Sequence, residues 1–325
     1  MKKELTAETV AALAVESMLY EVTATPKPGL VDRANNGAHY DMDFFTFMSS
    51  AAALHSCFDE LIQAGTQMAE HPVTELLPVL RKIGVQAEKQ MFQFTKGVNT
   101  HKGMIFSLGM LCGCWGWLYG PKNQEFISEH LCETVALMCQ GICQRELTDT
   151  LEHQSLSEIE DASKQMNFMN QKKQVNEKSL MIQNYSKKQQ TLTKGEQMYL
   201  KYGSTGVRGV VESGYEVVRT YSLPIYRVVK KSSLSQNDAL VHTLLYLIRE
   251  MEDTNILSRH DRKTVEHAKT YAAKAIACGG MFSEEGRQCV QDMDQDFIEK
   301  YISPGGCADM LAVTHFLYSL EEAAV

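Results

Sequence analysis

The sequence predicts an all-α protein, a multi-helix globular bundle, and three observations predict it. Apolar residues recur three or four positions apart almost throughout, as in Val10, Leu13, Ala14, Met18 and Val22, or Val241, Leu244, Leu245 and Ile248. Runs that alternate with the period of a strand are scarce. Capping and breaking residues punctuate the periodic stretches in order. With 325 residues, 44% of them hydrophobic, the chain can bury a large core.

The elements follow from their caps. Thr6 caps a first helix that must end before Pro26, and Asp41 or Asp43 caps a second that stops at Gly65. Pro72 or Thr74 opens a third and Thr100 a fourth, which Pro121 separates from a fifth ending near Cys143. Ser235 starts a helix that runs to Glu252. Asp261 or Thr264 starts one that ends at Gly279 and Gly280, Ser283 starts another, and Pro304 leads into the last. The apolar run Met104 to Leu118 is shorter than the ~20 residues a bilayer requires and is read as a buried central helix. Along it Gly109, Gly113, Gly116 and Gly120 fall three or four apart, which lets another helix approach closely.

Residues 151–193 break the pattern with Gln, Lys, Asn, Ser and Glu, which bury little. The expected organisation is therefore an N-terminal helical half (1–150), a polar connector (151–195) and a C-terminal helical half (196–325). The formal net charge of −8 argues against a nucleic-acid or anionic membrane surface as the main partner. The start of the chain enters a helical pattern with no secretory signal, and the scattered cysteines read as reduced, buried thiols, so a cytoplasmic location is expected.

Two loops carry residues that packing does not require. In Pro26-Lys-Pro-Gly-Leu-Val-Asp-Arg33 the prolines lock φ and Gly29 frees the next step, which holds Lys27, Asp32 and Arg33 in place. In Thr95-Lys-Gly-Val-Asn-Thr-His-Lys102, Lys96, Asn99, His101 and Lys102 gather around a helix N-terminus capped by Thr100, a favourable seat for a phosphate. Three shorter features accompany them. Gly203 to Gly209 is a glycine-punctuated turn with Arg208 as a phosphate fork. Asp253 and Asn255 suit a hard cation such as Mg²⁺, and a helix C-terminus with an Asx-turn explains them equally well. Ser303 to Asp309 brings a carboxylate to the first turn of the last helix. His39 can serve as a general base, with Asp41 or Asp43 as metal ligand, orienting group or simple N-cap.

In combination and order, these motifs resemble the triphosphoribosyl-dephospho-CoA synthase family, from near residue 10 to near residue 317. Two departures stand out: Val210 and Val211 follow Arg208-Gly where the family has Glu-Ala, and His260-Asp261 follow Arg259 where it has Gly-Gly. The resemblance implies a transfer of the 5-triphosphoribosyl group of ATP to the 2′-hydroxyl of 3′-dephospho-CoA with release of adenine. The product is the prosthetic-group precursor of the acyl carrier protein of citrate lyase or malonate decarboxylase, which links the enzyme to a phosphoribosyl-dephospho-CoA transferase. On this reading Lys96, Lys102, Arg208 and the amides after Thr100 hold the triphosphate, with Lys27, Arg33, Asn99 and Arg259 as further substrate contacts. Mg²⁺ falls to Asp253 with Asn255 or Asp41. The base is His39 or His101, and Asp32 or Asp309 faces the ribose. Two other classes stay open: an HD-type metal-dependent phosphohydrolase built on His260-Asp261 with His39 and Asp309, and a non-catalytic nucleotide- or CoA-binding helical protein.

Overall fold

A computed structural model describes residues 5–120, 126–148 and 192–324, and among them no strand occurs. Local capping starts the first two helices as expected. Thr6 Oγ1 accepts the N–H of Thr9 at 3.2 Å ahead of α1 (Ala7–Thr23). Asp43 and Thr46 form a reciprocal capping box that starts α2 (Phe44–Ala53). The single helix expected to reach Gly65 instead breaks at Leu54, and α3 (His55–Gln67) follows. The break leaves the Ala53 carbonyl without a helical partner, and the side chain of Gln90 donates to it at 2.8 Å. That compensation comes from a distant helix, so no local signal announces it.

A 3₁₀ turn (Val73–Glu75) behind Pro72 leads into α4 (Leu76–Phe94), followed by α5 (Lys102–Tyr119) and α6 (Ser128–Cys139). A Thr193–Glu196 capping box opens α7 (Lys194–Tyr202), which ends at left-handed Gly203 ahead of α8 (Gly206–Glu212). A π-helical turn (Val218–Ser222) joins α9 (Leu223–Lys230). Ser235, Asp253, Asp261 and Ser283 then cap α10 (Gln236–Glu250), α11 (Thr254–Arg259), α12 (Arg262–Ala277) and α13 (Glu284–Glu299). The last helix is α14 (Gly305–Ala324).

Two compact units result, Met1–Gln140 with Val210–Val325, and Gly141–Gly209. These divisions differ from the expected halves at 1–150 and 196–325. The reason lies in which faces cover each other: α1 packs on α14, and α14 also packs on α5, so helices from both ends of the chain share one core. Of the expected connector 151–195, residues 151–191 lie outside the described residues. Within the first unit α5 and α14 are buried nearly all round and the other helices pack about them. The close approach predicted for the glycine stripe is present. A Cβ at Gly116 would lie 2.0 Å from the carbonyl oxygen of Ile62, and one at Gly65 1.9 Å from that of Gly113, so α3 and α5 meet backbone to backbone. No helix among the described residues is long and apolar enough to cross a membrane.

Candidate active site

The Pro26–Arg33 loop is pinned from three directions. The backbone N–H of Gly29 donates to Asp294 Oδ1 at 2.9 Å, and a Cβ at this φ +69 position would lie 2.0 Å from the carbonyl of Ile302. Asp32, expected at the ribose, instead shapes the loop. Its Oδ2 accepts the N–H of Lys27 at 3.0 Å and its Oδ1 those of Ala34 and Asn35 at 2.7 and 3.0 Å. Arg33 turns to the outer side, donating to the Thr23 carbonyl at 2.7 Å and to Asn237 Oδ1 at 2.9 Å. Lys27 points inward. Its side chain is 1% exposed and forms an ion pair with Glu21, at 2% exposure, in the last turns of α1.

The second loop places its imidazole deep and its cations outside. His101 precedes α5 with no exposure, its Nδ1 2.7 Å from Ser50 Oγ and its Nε2 buried without a partner. Burial, with the Lys27 charge second, holds this imidazole down at about 3, so it is neutral near pH 7. Thr100 is not the cap of α5. Its hydroxyl donates to Ser50 at 2.8 Å, while Asn99 Oδ1 accepts the N–H of Lys102 at 3.3 Å. The deeper Ser50–His101 pair draws the threonine away from the helix end. Lys96 is exposed in the left-handed region at φ 55, and exposed Lys102 reaches Glu88 at 2.8 Å.

The last helix supplies the carboxylate that this loop faces. Asp309, in the early turns of α14, lies against Gly103, where a Cβ would come within 1.9 Å of its Oδ2. Solvent reaches Asp309, yet protein surrounds it, and burial followed by the negative charges of Glu21 and Asp253 pushes its carboxyl well above the usual range. Asp253 is a cap and a clamp. Its Oδ1 accepts from Asn255 and Ile256 at 2.8 and 3.1 Å, and its Oδ2 accepts the N–H of Cys307 at 2.9 Å.

His39 occupies the wall of a cleft of about 410 Å³ lined by Ala38, Tyr40, Asp41, Arg259, His260 and Tyr301. Its Nε2 lies 2.9 Å from Ser303 Oγ and its Nδ1 3.8 Å from Asp41. Burial and the neighbouring Arg259 lower it to about 4, which leaves it neutral and able to accept a proton. Tyr40 and Tyr301 meet hydroxyl to hydroxyl at 2.6 Å over the cleft, and Tyr301 is held at φ 57.

The expected Mg²⁺ ligands do not form a set. Asp253 spends its lone pairs on backbone N–H groups, Asp41 is 66% exposed beside His39, and Asn255 follows the cap in α11. Among the described residues no cluster of three or more His, Cys, Asp or Glu side chains suits a metal ion. The HD reading loses its anchor on the same ground: Asp261 caps α12 through Thr264 at 2.9 Å, and His260 Nε2 lies 2.9 Å from the Tyr301 carbonyl. Arg208 belongs to the second unit, where it pairs with Glu146 at 2.8 Å.

Thus Glu21 pairs with Lys27, whose charge reaches His101, and the charge of Glu21 reaches Asp309, while His39 and Arg259 share the cleft. Sequence reasoning missed Glu21, Ser50, Asp294 and Ser303. A signal for Glu21 existed: it falls seven residues after Ala14 and three after Met18, a carboxylate on the buried face of α1.

Residues 7–325 match the family described as ATP:dephospho-CoA triphosphoribosyl transferase. A relative from Vibrio cholerae, named probable 2-(5''-triphosphoribosyl)-3'-dephosphocoenzyme-A synthase, is 39% identical over 312 residues, covering 96% of this chain and 88% of the relative. A Klebsiella pneumoniae protein named 2-(5''-triphosphoribosyl)-3'-dephosphocoenzyme-A synthase is 32% identical over 323 residues, 99% of this chain and 94% of its own length.

Proposed function

Because the chain belongs to the ATP:dephospho-CoA triphosphoribosyl transferase family, we propose that it moves the 5-triphosphoribosyl group of ATP to the 2′-hydroxyl of 3′-dephospho-CoA and releases adenine. The observation that carries this reading is a family match running almost the length of the chain, with the buried Lys27–Glu21 pair lying close enough for its charges to reach His101 of the second loop and Asp309 of the last helix. A glycosyl transfer of this kind needs a base for the hydroxyl, cations for the triphosphate and a carboxyl group at the anomeric centre. His39, neutral and set in the cleft, is the base of this proposal. Lys96, Lys102 and the amides at the start of α5 receive the triphosphate, Arg259 adds a planar cation at the cleft, and Asp309 faces the ribose. Mg²⁺ enters as the counter-ion of the triphosphate, and no step is assigned to it.

Further along, the product serves the acyl carrier protein of citrate lyase or malonate decarboxylase through a phosphoribosyl-dephospho-CoA transferase, in the cytoplasm. The test is direct. With ATP, Mg²⁺ and dephospho-CoA, adenine is expected in a one-to-one ratio with a product that retains all three phosphates by mass spectrometry. ADP, AMP or free phosphate as the stoichiometric product, with no adenine, would sink the transfer and favour hydrolysis.

A further inference from the structure

Four buried side-chain polar atoms lack partners among the described residues, and two of them, on Glu21 and His101, lie near Lys27 where α1, the start of α5 and α14 pack together. Glu21 gives Oε1 to Lys27, and its Oε2 is buried with none; the Nε2 of His101 is likewise buried with none. Such atoms are costly to leave unsatisfied, and a core with no use for them is better filled by apolar side chains. Asp309 stands at the same place but differs in one respect. It is reached by solvent, and no described residue donates a hydrogen bond to its carboxyl group.

The charges facing Asp309 are unequal. Glu21 on α1 and Asp253 ahead of α11 are acidic, and Lys27 is the cation nearest Glu21. On the α5 side His101 is neutral, and on its own helix the neighbouring Cys307 thiol is buried. Of the two carboxyl groups, Glu21 has the ammonium beside it and Asp309 has only like charges. Burial and like charges of this kind favour the protonated form of Asp309.

We propose that Asp309 is the general acid of the transfer, giving its proton to a ring nitrogen of the departing adenine, and that the Glu21–Lys27 pair is the positioning element beneath it. This rests on the reaction proposed above. The C1′–N9 bond breaks with its electron pair going to the purine, which takes the Asp309 proton. The 2′-oxygen of dephospho-CoA bonds to C1′, and its hydroxyl proton goes to His39. Solvent at the open side of Asp309 then returns its proton, as His39 releases one.

The experiment compares ATP with its N7-methyl analogue, whose purine is already cationic and departs as a neutral base without an acid. For Asp309→Asn, turnover of ATP should fall about 10²–10⁴-fold while that of the analogue falls less than tenfold. Calorimetric ATP affinity should change no more than threefold. Glu21→Gln should move the alkaline limb of the kcat profile to lower pH, because losing an anion lets Asp309 part with its proton more readily, and Glu21→Asp should restore it. Equal slowing of both nucleotides by Asp309→Asn, or an unmoved profile in a folded Glu21→Gln protein, overturns the proposal. If Glu21→Gln fails to fold, the two-nucleotide comparison decides alone. If the unaltered protein releases no adenine from ATP and dephospho-CoA, the reaction itself falls and the general acid with it. Normal release with uniform impairment of the variant removes only the general acid.

Discussion

Helix α5 is buried in two different ways along its length. In its middle, Gly109, Gly113 and Gly116 lie against α3 and α4 with apolar neighbours such as Leu61 and Leu80 and the backbone of Ile62. At its start, His101 and Gly103 meet Ser50 and Asp309, near Lys27. The first region is closed and mostly apolar, although Ser107 Oγ and Trp115 Nε1 of the same helix are also buried without a partner among the described residues. The second keeps an ion pair out of water and leaves His101 Nε2 and Glu21 Oε2 unpaired. Unpaired polar atoms occur in both regions. The buried Glu21–Lys27 ion pair, which costs desolvation that apolar packing does not, is therefore what sets the start of the helix apart from its middle.

The largest effect that could break this contrast is expected at Lys27. Lys27→Met strands a buried carboxylate and should cost about 3–5 kcal/mol in urea unfolding. Adding Glu21→Leu should recover much of that stability and none of the activity. A double variant that turns over normally would show the pair to be mere core. Next is Lys102→Ala, which removes a charge-assisted contact with the triphosphate. Calorimetry should record about 1.5–3 kcal/mol of lost ATP affinity, and the Tm should hardly move because the Lys102–Glu88 pair is solvent-exposed on the lysine side. Unchanged affinity would take the loop out of the site.

In the closed region, Gly116→Ala sets a methyl group against the Ile62 carbonyl and should destabilise by about 1–3 kcal/mol while kcat stays level. A fall in kcat without loss of stability would blur the division between the two ends of α5. The smallest effect concerns pH. His39 and His315 are lowered to about 4 and His101 to about 3, each chiefly by burial, from an ordinary 6.5. Above 6.5 both folded and unfolded imidazoles are neutral and the full stability is present. As pH falls from 6.5 toward 3 the unfolded chain binds protons that the folded chain refuses, so stability is lost over that window and then levels off. Between pH 7 and 6 the loss should be under about 1 kcal/mol per histidine, measured by denaturant midpoints. The raised carboxyls of Asp309, Asp253 and Asp294 act in the opposite sense, so the histidine share is read as the difference from a His315→Gln protein. A pH dependence that this substitution leaves unchanged would contradict the buried, neutral assignment.

Much of the fold was legible because its signals are local. Thr6, Asp43, Ser235 and Ser283 each cap a helix through a backbone N–H three residues on, a contact that only neighbouring residues decide. The break at Leu54 was not legible, since the freed Ala53 carbonyl finds Gln90 on another helix. Thr100 failed as a cap for a similar reason: Ser50, fifty residues away, competes for its hydroxyl. In the site, the two loops were readable as places with a purpose. Their individual side chains were not, and Asp32 and Asp253 turned out to clamp backbone N–H groups.

By itself, then, the sequence determined the helical class, the helix starts, the rigid turn at Pro26–Arg33 and the stripe of glycines that admits a second helix. Those features depend on covalent stiffness, side-chain volume and hydrogen bonds that span a few residues. Only the tertiary structure decided which polar groups would share a desolvated place. Glu21 meets Lys27 across six residues, but their companion Asp309 arrives from the opposite end of the chain through the packing of α14 on α1. The charge that a carboxyl group carries depends on the water and the ions around it, and those are set by helices that the local sequence does not name.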